Sequence, residues 1–317
     1  MRALAAPAPL KGVLGARDAA AALADGFRSV GVDADECPVA DGGEGTAEAL
    51  RAARGGDWRE AVVADPLGRP VAARWLELPD GSAVVEAAEA IGLPRLAEAE
   101  RDPLRASSRG LGELIVATAG RPLLVCLGGT ATVDGGRGLR EVVSELPAGT
   151  RVACDVASPL LDAARLFARQ KGADDAAVAE LERRLAADEA LAPFAKLPGA
   201  GAAGGLGAAL AALGAELVPG AALVLDAVGL AGRVAGTSLV VTGEGTVDGT
   251  TREGKAPAVV ALHAAAFGVP CVVFGGIVVE PLPAAETVAL SGDPARARDD
   301  LRGLGARLGT RLLDASR

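Results

Sequence analysis

A chain of 317 residues that is 50% hydrophobic and 23% charged is a folded soluble protein with room for two domains, which excludes a disordered chain. Its formal charge of −9, with no run of cations, sets DNA and RNA aside as partners. Aromatic residues are only 2% and Tyr is absent, so the core falls to Ala, Val and Leu, residues that suit helices packed on a parallel sheet.

In chain order, MRALAAPAPLKG has one Arg and a short apolar run cut by Pro7 and Pro9, so it reads as neither a signal peptide nor a membrane span, and a cytoplasmic protein without a membrane partner is expected. Residues 2–6 predict a strand, 16–30 a helix, 35–39 a second strand and 46–53 a helix stopped by Gly55-Gly56. Strand, loop and helix twice over predict a parallel sheet with its loops at one edge. After Gly56 the pattern changes to a strand meander, WREAVVADPLG, RPVAARWLEL and SAVVEAA, with turns at 66–68 and 79–81. A helix over 105–120 and a buried strand over 122–129 follow, then a strand over 151–156, two helical stretches and a glycine-rich run, 198–213, leading into a helix. The βα rhythm resumes near Gly236 with a strand opening into a glycine loop over 242–257, a helix over 256–267, strands PCVVFGG and ETVAL, and a closing helix over 297–314. The predicted fold is α/β, with a discontinuous Rossmann-like parallel-sheet domain (1–57 and 235–317) and an inserted second α/β domain (58–234).

Cys37, Cys126, Cys154 and Cys271 are widely spaced, with no Cys/His ligand pattern, and read as buried thiols in a reducing compartment. The single His263 lies in a helical run and is assigned a structural role; with no second His, no zinc site is expected. The chain carries 28 Arg against four Lys, a single Gln and no Asn, so the residues that resist this restricted alphabet stand out. Three lysines adjoin glycine, Lys11, Lys171 and Lys255, and Gln170 precedes one of them. Lysine is a compact charge suited to phosphate.

Four acidic or glycine-rich loops carry the chemistry. The first, Asp41-Gly42-Gly43-Glu44-Gly45-Thr46, combines glycines that let backbone N–H groups approach an anion with two carboxylates for a metal or a proton; an ordinary turn has the same composition. The others are 128–136, 198–207 and 242–257. Asp41, Glu44, Asp134, Asp155, Glu244 and Asp248 could hold Mg²⁺ or deprotonate a hydroxyl, while Lys11, Lys171 and Lys255 could neutralise phosphate or carboxylate oxygens. Phosphoryl transfer needs that mixture. For each acid alone, a helix cap or turn carboxylate is the competing role. There is no GxxxxGK[ST], no HRD or DFG set and no nucleophile elbow, which excludes P-loop enzymes, protein kinases and serine hydrolases of that type. GAGAAG at 199–204 matches GxGxxG in letters, but no strand precedes it, so close helix packing or anion contact at a helix N-terminus explains it in place of a dinucleotide site.

Taken together, AP-x-x-x-KG at 6–12, CPVADGGEGT at 37–46, PLG-x-PV at 66–71, GELI at 112–115, GG-T-AT-x-DGG at 128–136, CDV-x-x-PLL at 154–161, QKGA at 170–173, PGAGAAGGLG at 198–207 and TGEG-x-x-DG…GKAP at 242–257 resemble the bacterial glycerate kinase family, the type that is neither P-loop nor ribokinase-like. The similarity runs in register along nearly the whole chain. It implies ATP-dependent phosphorylation of D-glycerate or a related hydroxy acid, commonly to the 2-phosphate, with ATP and Mg²⁺. Under it, Lys11, Asp41, Glu44 and Asp248 would be catalytic, and Asp41 and Asp155 would hold metal. Gly128, Gly129, Thr130, Thr132, Asp134, Gly201, Gly204 and Gly205 would bind nucleotide, and Gln170, Lys171, Glu244 and Lys255 substrate. The partners implied are a small hydroxy acid and a nucleotide, and a homo-oligomer is compatible with the sequence.

The departures are specific. The family's first loop usually reads APDSFKG, and here Ala8 and Pro9 replace its acid and hydroxyl beside the retained Lys11. SATNDGG becomes Thr130-Ala131-Thr132-Val133-Asp134-Gly135-Gly136, losing an amide; DNPL becomes Ala157-Ser158-Pro159-Leu160; and the stretch before QKG is contracted. The missing Asn fits the restricted alphabet, whereas the missing Asp does not. A homologue that keeps the fold and binds a ligand or partner without phosphorylating glycerate is therefore the second expectation.

Overall fold

The computed structural model describes residues 1–283 and 285–315. Its backbone separates into two units: Met1–Asp41, Glu48–Ala53 and Ala221–Arg317 form the first, and Gly42–Ala47 and Arg54–Gly220 the second.

The chain opens with β1 (Arg2–Ala5), α1 (Ala16–Ser29), β2 (Asp33–Glu36) and α2 (Thr46–Arg54). Buried Ala19, Leu23 and Phe27, spaced four apart, give α1 the apolar face that holds it to its sheet.

The second unit follows. A long hairpin of β3 (Asp57–Ala64) and β4 (Pro70–Glu77) leads through β5 (Ala83–Glu86) to α3 (Ala87–Ile91), α4 (Arg109–Ala117), β6 (Leu123–Leu127), α5 (Arg137–Arg140) and β7 (Arg151–Cys154). Then come α6 (Ala163–Phe167), α7 (Asp175–Ala186), α8 (Ala202–Ala212) and β8 (Glu216–Pro219). The six strands lie in the order β3-β4-β5-β6-β7-β8, antiparallel up to β5 and parallel from β5 onward. β6, LLVCL, is buried along its whole length, as a central parallel strand covered on both faces should be. Both tryptophans belong to the hairpin: the Arg74 guanidinium stacks 4.1 Å above Trp58, and that of Arg121 lies 5.4 Å from Trp75. α7 starts where the carboxylate of Asp174 accepts the N–H of Ala177 at 2.8 Å.

The first unit resumes with α9 (Gly220–Ala227), α10 (Leu230–Val234), β9 (Leu239–Val247), α11 (Ala256–Ala266), β10 (Cys271–Val278), β11 (Glu286–Ala289) and α12 (Ala297–Asp314). Its five strands, in the order β11-β10-β9-β1-β2, are all parallel. One core between sheet and helices is built from Ala19, Leu23, Phe27, Leu301 and Leu304, and another from Val39, Val224, Leu225, Val260 and Ala264.

Three local readings differ from expectation. The strand expected over 35–39 is β2 at 33–36. The helix expected from 105 begins at Arg109, after a turn over 103–105 and a bend at Ser108, which is held by the Asp134 carboxylate. Thr242-Gly243-Glu244-Gly245, read as the start of a loop, lies inside β9, which pairs with β10 as far as Val247. Gly243 is there because the strands approach closely: a Cβ on it would sit 2.1 Å from the carbonyl oxygen of Phe274.

Candidate functional site

In the second unit the acidic glycine loop, Gly42–Ala47, runs over the turn that leaves β6. The packing is backbone to backbone: a Cβ on Gly128 would stand 2.7 Å from the Cα of Gly43, so any side chain there displaces the loop. The same point is 3.6 Å from Oδ2 of Asp155, and the corresponding point on Gly129 is 3.6 Å from Oε2 of Glu44. Glu44 is exposed and Asp155 half-buried. The end of β6, the end of β7 and the acidic loop thus bring Gly128, Gly129, Glu44 and Asp155 together, at the carboxyl ends of parallel strands.

Past Gly129, the ammonium of Lys171 donates to the carbonyl of Thr132 at 2.8 Å and to Oγ1 of Thr130 at 3.2 Å. Lys171 is only 4% exposed, and burial pulls its pKa down to about 8, against an upward pull from Asp134 and Asp155. The hydroxyl of Thr132 beside it is buried without a partner. Gln170, its neighbour in sequence, is exposed.

Asp134 is a frame for the loop. Its carboxylate accepts the N–H and hydroxyl of Ser108 (2.9 and 2.8 Å), the N–H of Gly136 (3.0 Å) and that of Gly138 (3.1 Å). Ser108 in turn accepts the N–H of Leu139 at 3.0 Å. The run containing Gly201, Gly204 and Gly205 packs against this loop, where Gly135 N–H donates to the Gly204 carbonyl at 3.1 Å, and Ala203 takes the left-handed conformation (φ 52°) that lets the run turn. Close packing, one of the two readings of GAGAAG, is what these contacts describe. Beside the loop lies a cavity of about 520 Å³ walled by Val133, Asp134, Arg137, Leu181, Arg184 and Leu185.

Glu86, at the end of β5, was not singled out from sequence. It is 8% exposed, and its carboxylate accepts the N–H of Ala47 at 2.6 Å and that of Gly45. Burial pushes its pKa up to about 7; the two N–H groups oppose this, while Glu89 and Glu44 add to it. One acid closing a wholly apolar run, AVVE, was the signal available.

In the first unit, Glu244 on β9 is 9% exposed and accepts the hydroxyl of Thr251 at 2.8 Å, with the ammonium of Lys255 at 3.7 Å. Burial raises its pKa, opposed by Lys255 and Thr251; Asp41 raises it further and Lys11 lowers it. Glu244 is thus the group on which the charges of Lys255, Asp41 and Lys11 converge. Lys11 is exposed on a tight turn closed by Leu10 and Leu14, beside a cavity of about 180 Å³ that includes Gly245, Thr246 and Ile277. Ala8, in place of the expected acid, is buried, and its N–H donates to the Gly243 carbonyl at 2.9 Å. Asp248 is a cap: it accepts the N–H and hydroxyl of Thr250 (2.8 and 2.6 Å), and the hydroxyl bond leads the causes that hold its pKa low.

Among the described residues, no three of His, Cys, Asp and Glu form a metal-holding group. Asp41 and Asp155 belong to different units. Each carboxylate taken by itself suits Mg²⁺, which can be bound through a single carboxylate with its remaining positions filled by water and substrate phosphates. Among the same residues no helix is long and apolar enough to cross a membrane.

Comparison with known proteins converges. A model of the glycerate kinase family matches residues 3–144 and 140–291. The chain is 38% identical to the glycerate 2-kinase of Escherichia coli K12 over 324 aligned positions, covering 87% of this chain and 85% of that protein. It is 37% identical to the glycerate kinase of Bacillus subtilis 168, with the same coverage. The crystal structure of the protein assigned as glycerate kinase 2 in Salmonella typhimurium LT2 superposes with a TM-score of 0.82 at 31% identity, over 100% of this chain and 99% of that one.

Proposed function

Because the chain belongs to the glycerate kinase family, we propose that it is an ATP- and Mg²⁺-dependent kinase of the cytoplasm that phosphorylates D-glycerate, or a closely related hydroxy acid, to the 2-phosphate. The observation that carries this reading is Lys171. A buried ammonium held against a glycine turn, next to an unpartnered hydroxyl and two carboxylates, is an expensive arrangement that an anionic ligand would justify.

Transfer of a phosphoryl group needs its oxygens neutralised, the acceptor hydroxyl aligned and a proton accepted. Lys171 and the backbone of Gly128–Thr132 suit the nucleotide phosphates, with Asp134 and the run holding Gly201, Gly204 and Gly205 fixing the loop's shape. The adjoining cavity of about 520 Å³, walled by Val133, Leu181 and Leu185 together with Asp134, Arg137 and Arg184, has the size for a nucleoside. In the first unit, Lys11 and Lys255 suit the glycerate carboxylate. Asp41 and Glu244 are the acids assigned the hydroxyl proton, a role supported for Glu244 by burial, which raises its basicity. Asp248, engaged as a cap, acts on the chemistry by shaping the turn that leads to Lys255. Gln170 is assigned a substrate contact from the motif. Asp41 in the first unit and Asp155 in the second are each assigned to Mg²⁺ by residue type, and the ion would supply charge neutralisation on the phosphates.

Phosphorylation at the 2-position is the reaction for which the Escherichia coli relative is named. The test is ADP release coupled to a reporter, with D-glycerate and MgATP, and phosphorus NMR of the product. No turnover above background by folded protein refutes the proposal. One observation favours a second reading, a homologue that binds without turning over: Ala8 and Pro9 stand where the family carries an acid and a hydroxyl. Calorimetric binding of both ATP and glycerate in the absence of turnover would select it.

A further inference from the structure

Glu86 sits where a carboxylate is unfavourable. It is buried, its strand neighbour across the ladder is Cys126, and the acids that face it are Glu44 from the loop and Glu89 from α3, the latter already paired with Arg74 and Arg95. Among the described residues no cation forms an ion pair with it within 4.0 Å. Its charge is met by backbone N–H groups alone, those of Gly45 and Ala47. They flank Thr46: Gly45 directly follows Glu44 in the acidic loop, and Ala47 lies where the loop enters the first turn of α2.

We propose that Glu86 is a positioning residue for this loop: by holding the N–H groups of Gly45 and Ala47 it fixes the backbone from which Glu44 projects toward Gly129. Gly128 supplies the opposite restraint, since the loop rests on it at contact distance. The loop is therefore clamped from two sides, by a carboxylate that binds its N–H groups and by a glycine that leaves it no alternative height. Only a carboxylate has acceptor capacity on both oxygens; the amide of Gln has one acceptor and one donor group, and the donor would oppose the loop's N–H groups. This inference rests on the kinase reading and on the role that the family resemblance gives Glu44 in phosphoryl transfer.

The test is a double-mutant cycle with a second readout that needs no activity. E86Q should lower kcat at least tenfold while the KM for ATP and for glycerate each change less than twofold. In an E44Q background the same substitution should cost less than twofold, because the group it aims has gone. Hydrogen exchange at the amides of Gly45 and Ala47 should quicken at least tenfold in E86Q, with the remainder of β5 and α3 unchanged. E86D, which keeps the charge but withdraws it by one methylene, should show the same pattern and stands in if E86Q does not fold. Full additivity of the two substitutions, unchanged exchange at both amides, or faster exchange with unaltered kcat would each overturn the proposal. If the wild type does not turn over glycerate, the functional reading fails by itself, and the exchange measurement still decides whether Glu86 holds the loop.

Discussion

Replacing Lys171 by Met separates what this residue costs from what it does. Methionine keeps most of the aliphatic volume and removes the charge. A fall in pKa from 10.5 to about 8 means that, near neutral pH, folding with a charged Lys171 gives up about 3 kcal/mol relative to an unperturbed lysine. Against that gain, the Thr132 carbonyl and Thr130 hydroxyl lose their donor, at about 1 to 3 kcal/mol for each group left unsatisfied. The two sides largely cancel, so K171M should differ from wild type by less than about 2 kcal/mol at pH 7. The sign with pH is sharper. Between the folded value of about 8 and the unfolded value of 10.5 the unfolded chain binds more protons, so wild-type stability rises with pH through that window; below it the penalty is constant. K171M lacks this rise. Urea unfolding followed by circular dichroism at pH 7 and pH 10 should show the wild type gaining on the mutant by about 2 to 3 kcal/mol. Turnover of glycerate should meanwhile fall at least a hundredfold in K171M. A stability difference that does not change between the two pH values, or a mutant that keeps its activity, would refute the reasoning.

Asp41→Asn keeps the shape and removes the charge, and should lower kcat at least a hundredfold with the melting temperature within a few degrees of wild type; unchanged activity would remove Asp41 from the chemistry. Gly128→Ala places a methyl group 2.7 Å from Gly43 Cα, too close for contact, and should lower kcat/KM at least tenfold and destabilise by about 1 to 3 kcal/mol in thermal and urea unfolding. Burial raises the thiol pKa of Cys37 to about 11 and of Cys154 and Cys271 to about 12, so a disulfide reagent at pH 8 should label none of the three until the protein is unfolded.

The parts of the fold marked by an apolar period or a long apolar run were readable in advance: α1, α2, β6, α11 and α12 lie within a residue or two of where the sequence puts them, and the three-stranded meander is β3, β4 and β5, antiparallel neighbours in order. The failures have physical causes. Glycine beside an acid usually marks a turn, yet Gly243 and Glu244 lie in β9, because what selects glycine there is the neighbouring strand's backbone, invisible to local composition. β8 has four residues, too few for alternation to show. At the site, the loops were visible as composition, but their division of labour was not. Asp134 and Asp248 look like Glu44 in sequence; only hydrogen bonds reveal that the first two are occupied in shaping backbone. Glu86 and Ser108 were passed over because each sits in a run that explains itself, an apolar strand end and a helix start, while their partners lie 39 and 31 residues away.

The scarcity of aromatic side chains has an optical consequence. Trp58 and Trp75 both lie in the hairpin of the second unit, and the first unit, without tryptophan or tyrosine, is dark above 290 nm. Intrinsic fluorescence is thus a private channel to one half of the molecule: a melt or ligand titration followed at those wavelengths reports the inserted unit alone, while circular dichroism reports both. Any gap between the two curves would measure how far the halves unfold independently. A tryptophan at Phe27 or Phe274 would light the other half.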